Sequence, residues 1–331
     1  MADIVGLGTP VMDLLVNIPR IPTGNDYTRS NEIFHQGGGN CATAMAAAAR
    51  LGKKAGMLAK VGGDYTGDFI INDFKFNGVD TSRILRGPQE TSSPYCLCVS
   101  EVELGTRFFI GRNSITPNLE PDEVDFGYIA NAKILHLDSG SPASITAAKF
   151  ARKNNVKVTM DAGGFTEDRM KILPDIDIYI ASEQFYRGMF GGNFDEIEMN
   201  CRKLHEMGPS VVWITRGELG CSGIADGRFC NVPAYNVRVA DTTGAGDVFH
   251  GAYISAMLEG LPHPECARYA NAVSAIKCMF VGGRTGIPDR ETLRRFMDDG
   301  TILTDDFEKR LEYYRRNFLS RETGNGACKT E

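Results

Sequence analysis

The chain has 331 residues, of which 42% are hydrophobic and 24% are charged, and its formal net charge is −6 at pH 7. These values are typical of a globular protein with one large domain or two modest ones. The negative net charge argues against a general nucleic-acid or membrane-surface binder, because such proteins need extended positive charge. A small anionic ligand is still compatible with it, since such a ligand needs only a local positive field.

The chain shows no targeting or disulfide pattern. Its first residues, MADIVGLGTPVMDLL, lack the basic start and cleavable apolar run of a signal peptide. No apolar segment approaches the ~18 residues of a membrane span. The nine cysteines are scattered, and only Cys96 and Cys98 are close enough to point to one side of a predicted strand. We therefore expect reduced thiols, no zinc site and a cytoplasmic protein.

Buried strand patterns alternate with helical patterns along most of the chain. The strand patterns are DIVGLG at 3–8 and further runs at 54–62, 132–138, 156–163, 175–182 and 209–217. The helical patterns lie at 41–52, 67–78, 141–155 and 194–208. This alternation predicts parallel strands with helices on both faces, and a ligand site at the carboxyl ends of the strands.

Two regions interrupt the alternation. Residues 17–36 are rich in turn signals, and residues 93–112 contain two strand-like runs that predict a hairpin. Together they predict a small extra sheet, which is too thin to bury a core by itself. We interpret this sheet as a lid on a single α/β domain at 1–320, followed by a flexible polar tail at 321–331.

The stretch DTTGAGDVFHGAY at 241–253 is the most informative part of the chain. Val237 and Val239 alternate before it as in a strand, and a helical pattern follows it. The glycine-rich residues between them, 244–246, are therefore predicted to form a strand-to-helix turn. Backbone N–H groups in such a turn, together with the positive end of the helix, can hold an anion.

Asp247 directly follows this predicted anion hole. A carboxylate would repel an anion placed against it, so we expect it to accept a proton from a nearby hydroxyl group. A carboxylate base beside an anion hole is the arrangement that phosphoryl transfer to an alcohol requires. A glycine-rich entry with an acidic first turn is also common at ordinary helix starts, and the stretch alone leaves both interpretations open.

Other motifs are weaker. GLGTPV lacks the third glycine of a dinucleotide fingerprint, and the chain contains no G-x-x-x-x-G-K-[ST] motif. The five histidines show no metal-ligand spacing, and His250, one helical turn after Asp247, is more typical of packing than of chemistry. Arg107 and Arg112 fall in or near the predicted lid, where a solvated strand face is the expected environment.

The 241–252 motif resembles the C-terminal motif of the PfkB, or ribokinase-like, carbohydrate kinases. The family's N-terminal motif is matched by HQGGGNCATAMAAAARLG at 35–52, followed by VGGDYTGDF at 61–69. The resemblance extends from DIVGLG to GGRTGIPDR and so covers nearly the whole chain. It implies a three-layer α/β/α sandwich with a mostly parallel central sheet and a small β-sheet lid, in agreement with the pattern of elements.

The resemblance also implies roles for individual residues. Asp247 matches the catalytic base, and Asp13 matches an aspartate that accepts hydrogen bonds from sugar hydroxyls. The implied anion hole is Gly244, Ala245 and Gly246; the implied sugar-binding turn is Gly38, Gly39 and Asn40; and the implied nucleotide-binding residues are Thr215, Arg216, Gly217, Asn271 and Ala275. Without the resemblance, these residues would be interpreted as strand caps, tight turns and core packing.

Several positions depart from the family pattern. Thr43 stands where many relatives have an asparagine that binds a sugar hydroxyl. Ser182 and Phe185 replace the two outer residues of an N-x-x-E motif that positions magnesium-bound water, and the neighbouring Glu183 can substitute. A third family motif has an asparagine after a strand aspartate. The corresponding stretch here is DAGGF, so only the aspartate, Asp161, is retained. These departures and the GGRTGIP ending resemble the ketohexokinase-like branch.

The resemblance implies an ATP-dependent kinase of a small polyol, with Mg²⁺ on the nucleotide phosphates and a lid that excludes water. It leaves open whether a monovalent cation activates the protein. A ketose or related furanose-like sugar is the first expected substrate class and a nucleoside is the second. A sugar-sensing protein that has lost the chemistry is the alternative from another class. We also expect a homodimer through the exposed edge of the lid.

Overall fold

A computed structural model describes residues 2–322, with side chains over residues 2–317. The strands of this part are β1 (Ile4–Leu7), β2 (Val11–Ile18), β3 (Glu32–Gly38), β4 (Ala55–Val61), β5 (Ile84–Arg86), β6 (Tyr95–Glu101), β7 (Arg107–Arg112), β8 (Ile134–Leu137), β9 (Lys157–Ala162), β10 (Ile178–Ser182), β11 (Val211–Thr215), β12 (Cys221–Ala225) and β13 (Arg228–Val232). The helices are α1 (Asn40–Arg50), α2 (Tyr65–Phe76), α3 (Phe126–Ala130), α4 (Pro142–Lys153), α5 (Glu167–Ile172), α6 (Glu183–Phe190), α7 (Ile197–Glu206), α8 (Ala245–Leu258), α9 (His263–Cys278), α10 (Arg290–Asp299) and α11 (Asp305–Glu322).

The larger sheet, here called the main sheet, has nine strands within residues 2–322, in the order β13-β12-β11-β10-β9-β8-β1-β4-β5. The seven strands from β11 to β5 are parallel, and β12 and β13 are antiparallel additions at one edge. One face packs against α1, α2, α8, α9 and α10, and the other against α3 to α7. The structure therefore confirms the predicted three-layer α/β/α fold.

Small residues allow α1 to approach both the main sheet and α8 closely. A Cβ atom at Gly6 of β1 would lie only 2.6 Å from the Cγ atom of Met45 in α1. A side chain at Gly251 of α8 would overlap the carbonyl oxygen of Ala44. The alanine-rich sequence of α1 thus brings α1 and α8, the two helices that begin with the recognised motifs, side by side.

The smaller sheet, here called the lid sheet, has the order β3-β2-β6-β7. Strand β2 is paired antiparallel with β3 and parallel with β6, and β6 forms an antiparallel hairpin with β7. The predicted hairpin at 93–112 is confirmed. The predicted segment 17–36 is wrong at both ends, because β2 starts at Val11, only three residues after β1, and β3 continues to Gly38.

The strand predicted around Val237 and Val239 is absent. Residues 233–239 are irregular, and Val239 is exposed. Pro233 has no N–H group for a sheet ladder, and the N–H groups of Ala240 and Asp241 donate to the carbonyl of Cys278 at the end of α9. Alternating valines therefore predicted a strand in an irregular segment, and the residues that follow it bond to the end of a helix.

The remaining predicted elements agree with the structure. The six predicted strands correspond to β1, β4, β8, β9, β10 and β11, and the four helical patterns to α1, α2, α4 and α7. Helix α11 extends to Glu322, and residues 323–331 of the predicted tail lie outside the described residues.

Two further expectations concern the cysteines and membrane-spanning segments. Cysteines in this part of the chain are free, and the Sγ atoms of Cys96 and Cys98 lie 3.7 Å apart on one side of β6, as predicted. Among the helices within residues 2–322, none combines the length and the apolar run that a bilayer span requires.

Candidate active site

The turn before α8 is open to an anion. Gly244 has a φ of 74°, and a Cβ atom there would lie 2.9 Å from the Cα atom of Gly283, so this position requires glycine. No side chain caps α8. The N–H of Ala245 donates to the carbonyl of Thr242 at 3.2 Å, whereas the N–H groups of Gly246 and Asp247 have no acceptor among the described residues. These two free amides form a site for negative charge at the helix start.

Asp247 lies in the first turn of α8 and is half-buried. Burial, together with the nearby carboxylates of Asp161 and Asp138, raises the pKa of its carboxyl to about 7, although His250 and Arg284 act in the opposite direction. A carboxylate with a pKa near neutrality can accept a proton efficiently at cellular pH.

A buried polar cluster lies beneath Asp247. Asp161 in β9 has one carboxylate oxygen 3.4 Å from His250 Nε2, and its other oxygen accepts a hydrogen bond from Asn40 Nδ2 at 3.3 Å. Burial raises the pKa of Asp161, but the charge and hydrogen bond of His250 lower it overall. The ring of His136 lies 5.3 Å from that of His250, and burial lowers its pKa to about 3. His250 is thus packed, as expected, but it packs against a charged residue.

Asp138 was missed by the sequence analysis. It follows β8, and its Oδ2 accepts a hydrogen bond from the N–H of Cys41 at 3.1 Å. A Cβ atom at Gly8 would lie 2.6 Å from the same oxygen, so the chain after β1 is in contact with this carboxylate. Burial raises the pKa of Asp138 to about 6. The available signal was an acidic residue directly after a parallel strand, at the sheet edge where ligands bind.

Asp13 projects from β2 of the lid sheet. A Cβ atom at Gly38 of β3 would overlap its carboxylate, so glycine is required at that position. The Asp13 carboxylate and the thiols of Cys96 and Cys98 have polar atoms within 4.8 Å of one another. Burial raises the pKa of Asp13 to about 8, and Cys96 adds to this effect. Asp13 has no hydrogen-bond partner among the described side chains.

The turn from β3 into α1 is held by a buried arginine. Arg284 Nη2 donates to the carbonyl of Gly38 at 3.2 Å, and Arg284 Nε donates to Thr43 Oγ1 at 3.3 Å. The guanidinium is also ion-paired with Asp73 in the core. Gly39 has a φ of 91° and leads into Asn40, the first residue of α1. The Thr43 hydroxyl is therefore already bonded to protein, and Arg284, which the sequence did not single out, supports this turn.

The residues assigned to the nucleotide lie beside α8 and at the end of β11. The N–H of Arg216 donates to the carbonyl of Gly220 at 2.7 Å, and its guanidinium lies 4.7 Å from the centre of the Phe194 ring. Thr215 ends β11, and Gly217, with a φ of 55°, follows Arg216.

Helix α9 carries the two residues assigned to the adenine pocket. Asn271 Nδ2 donates to the carbonyls of Val232 and Pro233 at 3.2 and 3.0 Å, so its amide supports the chain after β13. Ala275 is buried in the same helix. Its neighbour Ser274 donates to the carbonyl of Ala245 at 3.0 Å, which connects α9 to the turn before α8.

Glu183 begins α6, and Arg187 Nε donates to its Oε1 at 3.0 Å. The second carboxylate oxygen, Oε2, has no partner among the described side chains and can accept a hydrogen bond from water. Ser182 caps α6 by accepting a hydrogen bond from the N–H of Phe185, and the Phe185 ring is buried. The two positions that depart from the family motif are thus used in the fold itself.

The lid sheet contacts the turn before α8 through Arg107. Its guanidinium in β7 donates to the hydroxyl of Thr242, across 135 residues of sequence. Arg107 is therefore not simply a solvated residue, although it is exposed, as is Arg112 on the same strand. The lid sheet and the turn before α8 therefore lie in contact with each other.

Residues 1–290 match the family model described as pfkB family carbohydrate kinase. The nucleoside kinase of Methanothermobacter thermautotrophicus is 27% identical over 309 residues, which are 89% of this chain and 95% of that protein. The ribokinase of Haemophilus influenzae is 26% identical and covers 88% of this chain and 97% of its own length. The structure of Arabidopsis thaliana ribokinase complexed with ribose and ATP matches with a TM-score of 0.77 at 25% identity, over 89% of this chain and 98% of that one.

Proposed function

The chain belongs to the pfkB family of carbohydrate kinases, and we propose that it phosphorylates a hydroxyl group of a small sugar with ATP, using Asp247 as the base. The observation that carries the proposal is the position of a desolvated carboxylate, that of Asp247, beside the free amides at the start of α8. Family membership makes the protein a kinase that transfers phosphate to a hydroxyl. The assignment of residues rests on the geometry.

In the proposed reaction, the Asp247 carboxylate takes the proton of the sugar hydroxyl as its oxygen forms a bond to the γ-phosphorus of ATP. The bond from that phosphorus to the bridging oxygen breaks, and ADP leaves. The N–H groups of Gly246 and Asp247, at the positive end of α8, stabilise the negative charge on the transferred group. Gly244 provides the backbone conformation that directs these donors.

Mg²⁺ would neutralise the charge of the nucleotide phosphates and retain several of its water ligands. We assign Glu183 to one of these waters, because Oε2 is free while Oε1 accepts from Arg187. A ribokinase-fold structure from Escherichia coli, 23% identical with a TM-score of 0.78, is described as a complex with ATP and Mg²⁺. Thr215, Arg216 and Gly217 are proposed to lie beside the phosphates, and Asn271 and Ala275 beside the adenine.

We assign the sugar to the space between Asp13 and the turn from Gly38 to Asn40. A desolvated carboxylate without a hydrogen-bond partner is unfavourable, and sugar hydroxyls would supply the missing donors. Asn40 already donates to Asp161, so its amide oxygen is the group left for the sugar. Thr43 accepts a hydrogen bond from Arg284 and so helps to hold this turn in place. A ketose or related furanose-like sugar is the proposed substrate class.

A nucleoside is the second candidate substrate, and the similarity to a nucleoside kinase favours it. ATP turnover measured with a panel of ketoses, aldopentoses and nucleosides tests the proposal. A kcat/KM for a sugar at least about tenfold higher than for any nucleoside supports a sugar as the substrate, since one well-placed polar contact accounts for such a ratio. Turnover with nucleosides alone contradicts the substrate class, and no turnover with any compound favours the sensing alternative.

Assembly and location are further proposals. Strand β7 is an edge of the lid sheet within the described chain, and Phe109 and Ile110 on it are 53% and 58% exposed. Such an edge is a template for pairing with a second copy, and we propose a homodimer there. Ile110→Lys should give the monomer mass in light scattering. Free thiols fit a reducing compartment such as the cytoplasm.

A further inference from the structure

Lys277 is a lysine buried in the protein interior. It lies in the last turn of α9, and its side chain is completely inaccessible to solvent. Its Nζ donates to the main-chain carbonyl of Asp241 at 2.7 Å. Lysine side chains are almost never fully buried unless they are paired, because removing an ammonium group from water is very unfavourable.

The surroundings of this ammonium are rich in negative charge. The C-terminus of a helix carries partial negative charge, and Lys277 lies next to the last residue of α9. The carboxylate of Asp241 accepts hydrogen bonds at 2.8 Å from the N–H groups of Thr243 and Gly282. Burial lowers the pKa of Lys277, whereas the nearby Asp241 carboxylate acts in the opposite direction.

These contacts fix the loop that precedes the anion-binding turn. The N–H groups of Ala240 and Asp241 donate to the carbonyl of Cys278, and the Asp241 carbonyl accepts from Lys277. The loop from 241 leads directly to Gly244, which is in contact with Gly283. The position of the free amides therefore depends on a loop held at its start by one buried cation.

We propose that the Lys277 ammonium is the fixed cation of this loop, a positioning residue that makes a dissociable monovalent cation unnecessary. A monovalent cation coordinated by the Asp241 carbonyl would hold the same loop in place. The covalently attached ammonium does this without a binding equilibrium. This inference rests on the proposed function, because its consequence for catalysis concerns phosphoryl transfer at the turn before α8.

The first test uses the unmodified protein. Kinase activity is measured with the Tris salt of ATP and Mg²⁺, in choline chloride and in potassium chloride at equal ionic strength. We expect kcat to differ by less than about fivefold, the lower end of typical coupling between an effector and a site. A rise of about fivefold or more with K⁺ overturns the proposal, because the protein then needs a dissociable cation.

The second test compares two variants. Lys277→Ala removes the charge and opens space, whereas Lys277→Met removes the charge and fills the space. In choline, Lys277→Ala should lose about 10- to 150-fold in kcat, the effect of one hydrogen bond to a charged group. Potassium or ammonium chloride should restore part of that loss in Lys277→Ala and none in Lys277→Met. Full activity of Lys277→Ala in choline overturns the proposal.

Thermal unfolding supplies a readout that does not depend on activity. The Tm of Lys277→Ala should rise with K⁺ or NH₄⁺, since a ligand that binds only the folded state stabilises it. The Tm of the unmodified protein and of Lys277→Met should not respond to the identity of the cation. If no sugar or nucleoside is phosphorylated, the proposed function fails, while the unfolding of Lys277→Ala still decides the role of Lys277. Equal Tm responses in all three proteins overturn that role.

Discussion

The main sheet and the lid sheet bury their residues very differently. Strands β1 and β8 of the main sheet are buried along their whole length, because helices cover both faces. Strand β7 of the lid sheet is exposed at five of its six residues. The main sheet is thus covered on both faces, whereas the lid sheet is half-buried in β2 and β3 and has few buried contacts along β7. Regions with few buried contacts open at lower free energy than packed cores.

The candidate site draws different groups from the two sheets. The free amides and Asp247 lie at the start of α8, on the packed main-sheet side. Asp13 and Arg107 come from the lid sheet. We therefore expect the packed side to determine the rate of phosphoryl transfer and the lid sheet to determine which substrate is held.

The largest effect is expected at Asp247. Asp247→Asn keeps the shape of the side chain but cannot accept the hydroxyl proton, so kcat should fall by about 10²–10⁴. Calorimetric titration should show sugar and ATP affinities close to those of the unmodified protein. Asp298→Asn, at an exposed carboxylate of α10, serves as the control. Retention of more than about a third of the original kcat would exclude general-base catalysis by Asp247.

A slightly smaller loss is expected at Gly244. In Gly244→Ala, the new methyl group meets Gly283 and the residue must keep a φ of 74°, so the free amides should shift. Loss of one such donor lowers kcat by roughly 10²–10³. Gly260→Ala has a matched φ of 80° and open space around its Cβ position, and it should retain its activity. Equal kcat values for the two variants would contradict the assignment.

On the lid side, Asp13→Ala should affect the sugar and not the nucleotide. The sugar hydroxyls lose a charged acceptor, and kcat/KM for the sugar should fall roughly 10- to 150-fold. ATP affinity, measured by titration, should be unchanged. A parallel loss of ATP affinity, or an unchanged kcat/KM, would show that Asp13 is a structural residue.

The pH dependence should separate the two sides of the site. The carboxyl groups of Asp247 and Asp13 both have raised pKa values, and both are proposed to act in the ionised form. Activity is therefore present above each pKa and is lost as the pH falls through it. With saturating sugar, kcat should fall about tenfold per pH unit below about 7, the pKa of Asp247. The ratio kcat/KM should begin to fall near pH 8, where Asp13 becomes protonated. Coinciding profiles for kcat and kcat/KM would contradict this separation.

The smallest effect is expected at Arg107. Arg107→Ala removes an exposed hydrogen bond to Thr242, and such contacts contribute about 0.2–1 kcal/mol, or a factor of up to about five. We expect KM for the sugar to rise by up to about that factor. We also expect faster ATP hydrolysis when no sugar is present, because water enters the site more easily. Arg112→Ala on the same strand is the control. Identical behaviour of the two variants would remove Arg107 from the site.

Much of the main sheet could be predicted, because its strands are buried on both faces and alternate regularly with helices. The short strand pattern at Val237 and Val239 was misleading, since the path of that segment depends on tertiary contacts, such as the bonds of Ala240 and Asp241 to the end of α9. The start of β2 was missed because only residues 8–10 separate it from β1.

The residues missed in the site share one property. The side chains of Asp138, Arg284 and Lys277 form hydrogen bonds to partners that are 36 to 246 residues away in the chain. Local patterns predict a helix or a strand, but they do not determine which distant backbone groups a buried charge will meet. The glycine-rich turn before α8 could be recognised because its chemistry is contained within a few consecutive residues.

The four connections between the two sheets meet in two pairs. Gly39 lies against the carbonyl of Thr9, and the N–H groups of Ile115 and Thr116 donate to the carbonyl of Ser92. These two junctions fix where the chain enters and leaves the lid sheet. Because β3 also packs against α11 and its Gly38 carbonyl accepts a hydrogen bond from Arg284, that side of the sheet is anchored, and we expect only the β6–β7 hairpin to move. Such a motion would carry Arg107 relative to α8 while Asp13 stays in place.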